Sequence, residues 1–303
     1  MSFLNTFIAK TLPLVPKSIV GRVSRRYIAG SSLQDATQVV RRLNAKHLMA
    51  TLDLLGEDVY SELEAVAIKD EWLRIIQSVQ ESKLDSNCSL KLSQLGLRID
   101  AELSYRNLEA IVSAARRAGN FVRIDMEDSS TTSDTLAIYR RLREAGYDNV
   151  GVVIQAYLRR SEEDVRSLAK LNVNVRVCKG IYVEPEDIAF SDRNEVRRNF
   201  VLLLRILFES GCYVGIATHD EYIVQKAYEL IAKYKLTREQ YEFQMLLGVR
   251  EPLRDSIVAR DHRLRVYVPY GQAWYAYSVR RLNENPQIAG YIVRAMFGLK
   301  STQ

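Results

Sequence analysis

Residues 150–220 read VGVVIQAYLRRSEEDVRSLAKLNVNVRVCKGIYVEPEDIAFSDRNEVRRNFVLLLRILFESGCYVGIATHD. Three short β-branched or apolar runs, VGVVIQAYL (150–158), NVRVCKGIY (174–182) and YVGIATHD (213–220), are separated by two longer stretches. In the second stretch Leu202, Leu203, Ile206 and Leu207 recur with the helical period, and Gly211 stands where a helix stops before the next strand. Alternating strand and helix implies parallel strands joined by right-handed crossovers.

The alternation continues in both directions. On the N-terminal side lie LMATLDLLGED (48–58), SLKLSQLGL (89–97) and FVRIDMED (121–128); on the C-terminal side lie YEFQMLLGV (241–249) and RLRVYVPYG (263–271). Leu108, Ile111, Val112 and Ala115 mark another helical face, as do Ile223, Ala227, Leu230 and Ile231, and Gly119 and Gly146 are further helix stops. Eight strand–helix units predict an α/β fold, a (β/α)8 TIM-like barrel. The rival, a doubly wound open sheet, usually announces a nucleotide site with GxGxxG or GxxxxGK[ST], and neither string occurs here.

Composition narrows the class. With 47% hydrophobic and 26% charged residues the chain is globular rather than disordered or collagen-like, and 303 residues bury a core without disulfide staples. Cys88, Cys178 and Cys212 are widely spaced and form no CxxC, which argues against a disulfide framework or a cysteine zinc site and for a reducing compartment. Cys178 reads as packing. The three histidines are far apart, without HExxH or His-x-His, so no metal site is expected. No apolar run approaches the ~20 residues of a spanning helix. The net charge of +6 is concentrated: residues 1–50 hold eight basic side chains against Asp35 alone, leaving a charge of −1 for the remainder. The basicity therefore does not indicate a nucleic-acid surface. Residues 1–30 hold no acid but include Phe3, Leu4, Phe7 and Ile8. They suit an amphipathic arm on an anionic membrane, an organelle transit peptide, or a helical arm with a solvated charged side. Pro13, Pro16 and Lys17 disfavour a secretory signal. The expected division is a basic N-terminal helical arm, 1–47, and a barrel catalytic domain, 48–303.

A barrel interior ordinarily packs apolar side chains, with chemistry at the strand C-termini. The strands here carry Lys91, Arg123, Asp125, Glu127, Gln155, Arg176, Lys179, Thr218, His219, Asp220, Gln244, Tyr267 and Tyr270. A buried ion costs several kcal/mol unless it is paired or touches a ligand. The pattern points either to an ion-pair network lining the barrel or to a polar site for a charged ligand. After the last strand, AWYAYSVRRLNEN places Tyr277, Arg280, Arg281 and Glu284 at i, i+3, i+4 and i+7, on one side of a helix. Alone this is an exposed Arg–Glu stripe; at a barrel mouth, two adjacent guanidiniums clamp a carboxylate.

In this order LKLSQLG, RIDMED, IQAYLRRS, RVCKGIY, ATHD, FQMLLG, YVPYG and YxxRRxxE resemble the single-function form of the flavin enzyme proline dehydrogenase, and also the matching domain of bifunctional proline utilisation proteins. The resemblance runs from about residue 48 to the C-terminus. It implies a distorted barrel with FAD bound non-covalently at the strand C-termini and no dinucleotide glycine signature. It also implies oxidation of L-proline to Δ1-pyrroline-5-carboxylate by hydride transfer to FAD, the first step of proline catabolism to glutamate. By the same resemblance, electrons would pass to a membrane quinone, and a separate pyrroline-5-carboxylate dehydrogenase would take the product. Arg280, Arg281 and Lys91 would bind the carboxylate, Glu284 would pair with the arginines, and Tyr267, Tyr277 and Leu246 would pack the ring. Asp125 would lie beside the ring, as one candidate for the base, with water the other. Arg176 would approach flavin N5 and Gln155 the isoalloxazine edge or ribityl chain. Lys179, Gly180, Tyr182, Thr218 and His219 would hold the rest of the cofactor. On the same resemblance, Tyr267 would favour proline over 4-hydroxyproline, since hydroxyproline-using members of the family carry a smaller residue there. The implied location is cytoplasmic and peripheral to the membrane (the mitochondrial matrix side in a eukaryote). The acidic segment 183–192 is expected as a loop over the site. Two rivals are another flavin barrel resembling methylenetetrahydrofolate reductase and a non-catalytic barrel that binds or scaffolds.

Overall fold

The computed structural model describes residues 20–21, 24–56, 58–275 and 277–278. Eight parallel strands close into a barrel in chain order: β1 Met49–Leu54, β2 Ser86–Leu90, β3 Val122–Ile124, β4 Val150–Gln155, β5 Asn174–Cys178, β6 Tyr213–Ala217, β7 Tyr241–Leu246 and β8 Leu264–Tyr270. All eight expected strands are present, and the expected fold class holds. Helix α1, Leu33–Asn44, precedes the barrel, and one helix follows each of the first seven strands: α2 Glu62–Glu81, α3 Ala101–Arg117, α4 Thr132–Glu144, α5 Ser161–Ala169, α6 Arg193–Glu209, α7 Glu221–Tyr234 and α8 Glu251–Val258. Gly119, Gly146 and Gly211 take positive φ of 64°, 84° and 72° just past α3, α4 and α6, as helix-stop glycines should.

Two strands are displaced from their sequence reading. β2 starts at Ser86, three residues early, and the QLG expected in it forms a 3-10 turn at Ser93–Leu95 instead. β3 is only three residues long, because the carboxylates that follow it bond locally: Asp128 caps the turn Ser129–Thr131.

The barrel interior departs from the apolar packing usual for this fold. The apolar strand residues face outward to the helices: Leu52, Leu90, Ile124, Val152, Val177, Ile216, Phe243 and Val268 are all buried in the sheet–helix layer. The inward face is polar. Register partners share a face, and the runs Asp53–Ser89–Arg123–Gly151 and Arg176–Gly215–Glu242 follow the hydrogen-bonded ladder around the wall. Their side chains meet across the lumen between strands that are not neighbours, as Arg176 of β5 reaches Ser89 of β2. The lumen is polar, as the charged residues in the strands led one to expect, and glycines make room for its guanidinium and amide groups. A Cβ on Gly151 would lie 2.4 Å from Arg123 Nη1 and 2.5 Å from the Asn174 carbonyl; one on Gly215 would lie 2.6 Å from Gln244 Nε2.

The polar strand residues form two groups. Arg123, Glu242 and Arg265 lie toward the N-terminal ends, around a polar cavity of about 450 Å³. Arg265 Nε donates to Glu242 at 2.7 Å. Arg123 has no carboxylate partner; its Nη1 donates to the Val152 and Asn174 carbonyls at 3.1 and 2.7 Å. Burial and the nearby Arg176 push it down to about 9, so it remains charged at neutral pH. These residues form the ion-pair lining weighed from the sequence. The second group lies toward the strand C-termini.

The described part of the N-terminal segment docks on the barrel. Ser32 and Asp35 form a capping box on α1, whose buried Ala36, Val39, Val40 and Leu43 join the main core. Ahead of α1, the Ala29 N–H donates to the Pro269 carbonyl at the end of β8, and the Gly271 N–H to Gly30. Residues 183–192 are tied down as well: Glu184 accepts from the Ser129 N–H and hydroxyl, and Leu158 bridges Ala189.

Gly151→Ala is therefore expected to destabilise the barrel by about 1–3 kcal/mol through overpacking. The check is urea unfolding, and a wild-type midpoint would show that Arg123 is not packed against that wall.

Candidate active site

The C-terminal group is built around Asp125, the first residue past β3. Its Oδ1 accepts from Ser89 Oγ at 2.6 Å and Arg176 Nη1 at 2.7 Å, and its Oδ2 accepts from the Tyr267 hydroxyl at 2.6 Å. Lys91, just past β2, places Nζ 2.8 Å from Asp53 and 3.7 Å from Asp125. Three of the expected site residues on different strands, Asp125, Arg176 and Tyr267, are thus directly bonded, with Lys91 alongside. Burial alone would discourage every charge here, but pairing outweighs it. Arg176 and Lys91 hold the Asp125 carboxyl below the usual range, and Asp53 and Asp125 hold the Lys91 ammonium above it. Burial and Asp125 push the Tyr267 hydroxyl well up, so it stays a donor.

Arg176 is tethered on two nitrogens. Nε donates to Gln244 Oε1, and Nη1 serves Asp125 and Ser89. Its Nη2 is buried without a partner among the described residues. An orphan donor on a buried guanidinium normally signals a missing acceptor. The Tyr157 hydroxyl, past β4, is likewise without a partner among the described residues. The Tyr157 ring packs on Gly180, whose φ is +103° and whose Cβ would fall 2.1 Å from the ring. Gly180 is therefore required by this contact as well as by its backbone conformation.

Past β5 and β6 the charge balance changes. Asp220 accepts from Lys179 Nζ at 2.5 Å and from Arg197 Nε at 2.8 Å, with Arg193 at 3.5 Å. Three cations thus converge on one carboxylate near the start of α6, whose cap and first turn add Asp192 and Glu195. Thr218 Oγ1 accepts from the Asp220 N–H at 3.1 Å, and His219 Nε2 accepts from the Leu246 N–H at 2.9 Å. Gln155 donates to the Glu127 carbonyl at 2.7 Å. Glu127 itself accepts from the Ser93 N–H and hydroxyl, and burial raises its carboxyl despite those bonds. Lys91, Tyr182 and the buried Tyr277 line one cavity of about 280 Å³, enough for a small amino acid. Arg280, Arg281 and Glu284 lie outside the described residues.

This donor set fits a flavin dinucleotide. It offers a guanidinium nitrogen deep in the barrel with no partner among the described residues, and Lys179, Arg193 and Arg197 clustered at the rim, where a diphosphate would meet them. Among the described residues no cluster of three or more His, Cys, Asp or Glu could hold a metal ion, and no helix is long and apolar enough to cross a membrane.

The sequence reading missed Asp53, Ser89, Arg193, Arg197, Glu242 and Arg265. Asp53 and Glu242 were legible in principle, because each stands two residues from another inward polar position, at Thr51 and Gln244. The arginines of α6 had no signal beyond their place after KGIY.

A parallel barrel with a polar lumen and its charged site at the strand C-termini defines a barrel enzyme. The family model described as proline dehydrogenase matches residues 36–294. "Proline dehydrogenase 1" of Bacillus subtilis subsp. natto is 39% identical over 288 residues, covering 95% of each chain. "Proline dehydrogenase" of Deinococcus radiodurans is 35% identical over 278 residues, covering 90% of each. The solved structure of proline utilization A from Bdellovibrio bacteriovorus, inactivated by N-propargylglycine, superposes with a TM-score of 0.82 at 25% identity; the match covers 92% of this chain and 36% of that longer one. The chain belongs to the proline dehydrogenase family and is an oxidoreductase of proline catabolism. The folate-reductase and scaffold readings are set aside.

The inner carboxylates make the fold acid-sensitive. Despite burial, Arg265 with Gln244 and Tyr213 holds Glu242 down to about 2, below its unfolded value near 4.5. A depressed carboxyl contributes stability above the unfolded value and loses it as pH falls through the folded one, so between about pH 4.5 and 2 the barrel should lose on the order of 3 kcal/mol from this group. Urea unfolding across that interval measures it, and a flat profile would contradict the pairing.

Proposed function

We propose that this protein oxidises L-proline to Δ1-pyrroline-5-carboxylate with non-covalent FAD and passes the electrons to a membrane quinone. The reading is carried by the buried Arg176 guanidinium, anchored on two nitrogens and orphaned on the third. When bound, FAD supplies the two-electron acceptor for the hydride lost from proline C5. The product forms as C5–H and N–H are lost and a C5=N bond is made, with the remaining proton going to solvent.

The chain's own residues bind and orient. Lys91 and Asp53 form one ion pair and Arg176 and Asp125 another, so the inner cluster is neutral overall. A proline carboxylate therefore needs further positive charge, and Arg280 and Arg281 supply it, with Glu284 pairing to them. Tyr277 walls the cavity beside Lys91, and Leu246 with Tyr267, adjacent in the β7–β8 register, walls the ring. Asp125 is poorly suited to take the amine proton, since two cations and two hydroxyls hold it as a carboxylate. It serves as the anchor that aims Arg176 and Tyr267. Arg176 would place its free donor at the flavin, Gln155 would steady the neighbouring loop through the Glu127 carbonyl, and Lys179 with Arg193 and Arg197 would neutralise the diphosphate. Thr218, His219, Gly180 and Tyr182 shape the walls between. The basic, acid-free residues 1–30 support contact with an anionic membrane.

The purified protein is expected to carry flavin absorbance that L-proline bleaches anaerobically without NADH. A colourless protein that takes up no FAD, or bleaching by NADH alone, would overturn the reading. Lys91→Met, and separately Arg280→Met with Arg281→Met, should raise the proline KM at least tenfold with flavin retained, as loss of a charged contact of ~1.5–3 kcal/mol implies. Steady-state kinetics on flavin-matched samples decide this, and an unchanged KM would remove that residue from the carboxylate site.

A further inference from the structure

Below Arg176 a line of hydrogen bonds runs down the lumen. Arg176 Nε donates to Gln244 Oε1, Gln244 Nε2 donates to Glu242 Oε1 at 2.6 Å, and Glu242 is held by Arg265 Nε at 2.7 Å and the Tyr213 hydroxyl at 2.8 Å. An amide side chain can turn over and exchange its oxygen and nitrogen. Here only one orientation works, because a guanidinium nitrogen only donates and a carboxylate only accepts. Arg176 and Glu242 thus hold the Gln244 amide from both ends. Without the acceptor below, Nε2 loses its anchor and the amide, held by Arg176 alone, is free to swing and to take the guanidinium with it. Gly215 confines the same amide from the facing strand, since a Cβ there would lie 2.6 Å from Gln244 Nε2.

We infer that Glu242 is a positioning residue: from the N-terminal half of the barrel, and through the orientation of Gln244, it fixes where Arg176 points at the far end. Glu242 touches neither Arg176 nor the catalytic mouth. Its carboxylate is neutralised by Arg265, so it acts by geometry and not by its charge. The inference rests on the proposal that Arg176 faces a bound flavin, where a fixed guanidinium favours the reduced, anionic form.

The test separates geometry from charge. Glu242→Leu with Arg265→Met removes the acceptor together with its partner, so no lone buried charge remains, a replacement that folds tend to tolerate. Glu242→Gln alters the charge but keeps an acceptor oxygen. The readout is the equilibrium ratio of reduced to oxidised flavin against a reference dye. The pair-removing variant should lower that ratio at least tenfold, about 30 mV for a two-electron couple. Glu242→Gln should stay within twofold of wild type. Gly215→Ala, which displaces the Gln244 amide without touching any charged group, should lower the ratio in the same direction and provides the test if the double variant does not fold. The inference is overturned if wild type and variants hold flavin but the pair-removing variant and Gly215→Ala match wild type, or if Glu242→Gln alone moves the ratio. A wild-type protein that binds no flavin overturns the underlying cofactor proposal, and this inference with it.

Discussion

The ion pair between Asp125 and Arg176 organises the barrel's interior. It joins β3 to β5 across the lumen, and each partner is almost wholly removed from water. A buried pair is rarely a source of net stability, because desolvation offsets the attraction, yet removing one partner leaves an uncompensated charge and is strongly destabilising. The interior meets that demand by surrounding the pair. Ser89 and Tyr267 satisfy the carboxylate, Gln244 satisfies one guanidinium nitrogen, and Lys91 with Asp53 forms a second pair alongside. One guanidinium nitrogen is left over, and the proposed function follows from it.

A polar lumen has consequences for the rest of the fold. Its strands cannot stabilise the molecule by packing inward, so the hydrophobic contribution comes from the outer layer, where strand valines, leucines and isoleucines meet the helices. Volume is conserved by pairing large polar groups with glycine: Gly151 opposes Arg123, and Gly215 leaves space for Gln244 beside Arg176. Arg123 shows that not every charge in the lumen needs an opposite charge, since backbone carbonyls take that place.

Family membership and the site's charge balance support each other. The inner cluster is neutral, and three cations gather on Asp220 near the start of α6; under the proposed function these would orient a small zwitterion and meet a diphosphate respectively. The carboxylate of an imino acid needs cations beyond that neutral cluster, and the paired arginines at 280 and 281 are the sequence's own candidates. The Glu242–Gln244 line extends this organisation to the opposite half of the barrel.

The sequence by itself determined the class of fold and the chemistry of the strand ends. β-branched runs alternating with helical periods yield eight strands because periodicity reports burial directly, and helix-stop glycines report a backbone conformation that other residues rarely take. Lys91, Asp125 and Arg176 were legible because charge inside an apolar run is anomalous wherever it occurs, and Tyr267 because of its place in YVPYG at a strand end. What such anomalies do was decided only by tertiary structure. Parity along a strand assigns Arg123 and Asp125 to the same face, but only closure of the barrel puts Arg123 among backbone carbonyls and Asp125 against Arg176. Asp53, Glu242 and Arg265 went unread because each resembles an ordinary strand-end charge until partners from distant strands converge on it. Gln244 and Glu242 are two residues apart, but the partners that give this pair its meaning, Arg176 and Arg265, come from 68 and 23 positions away, which no local pattern encodes.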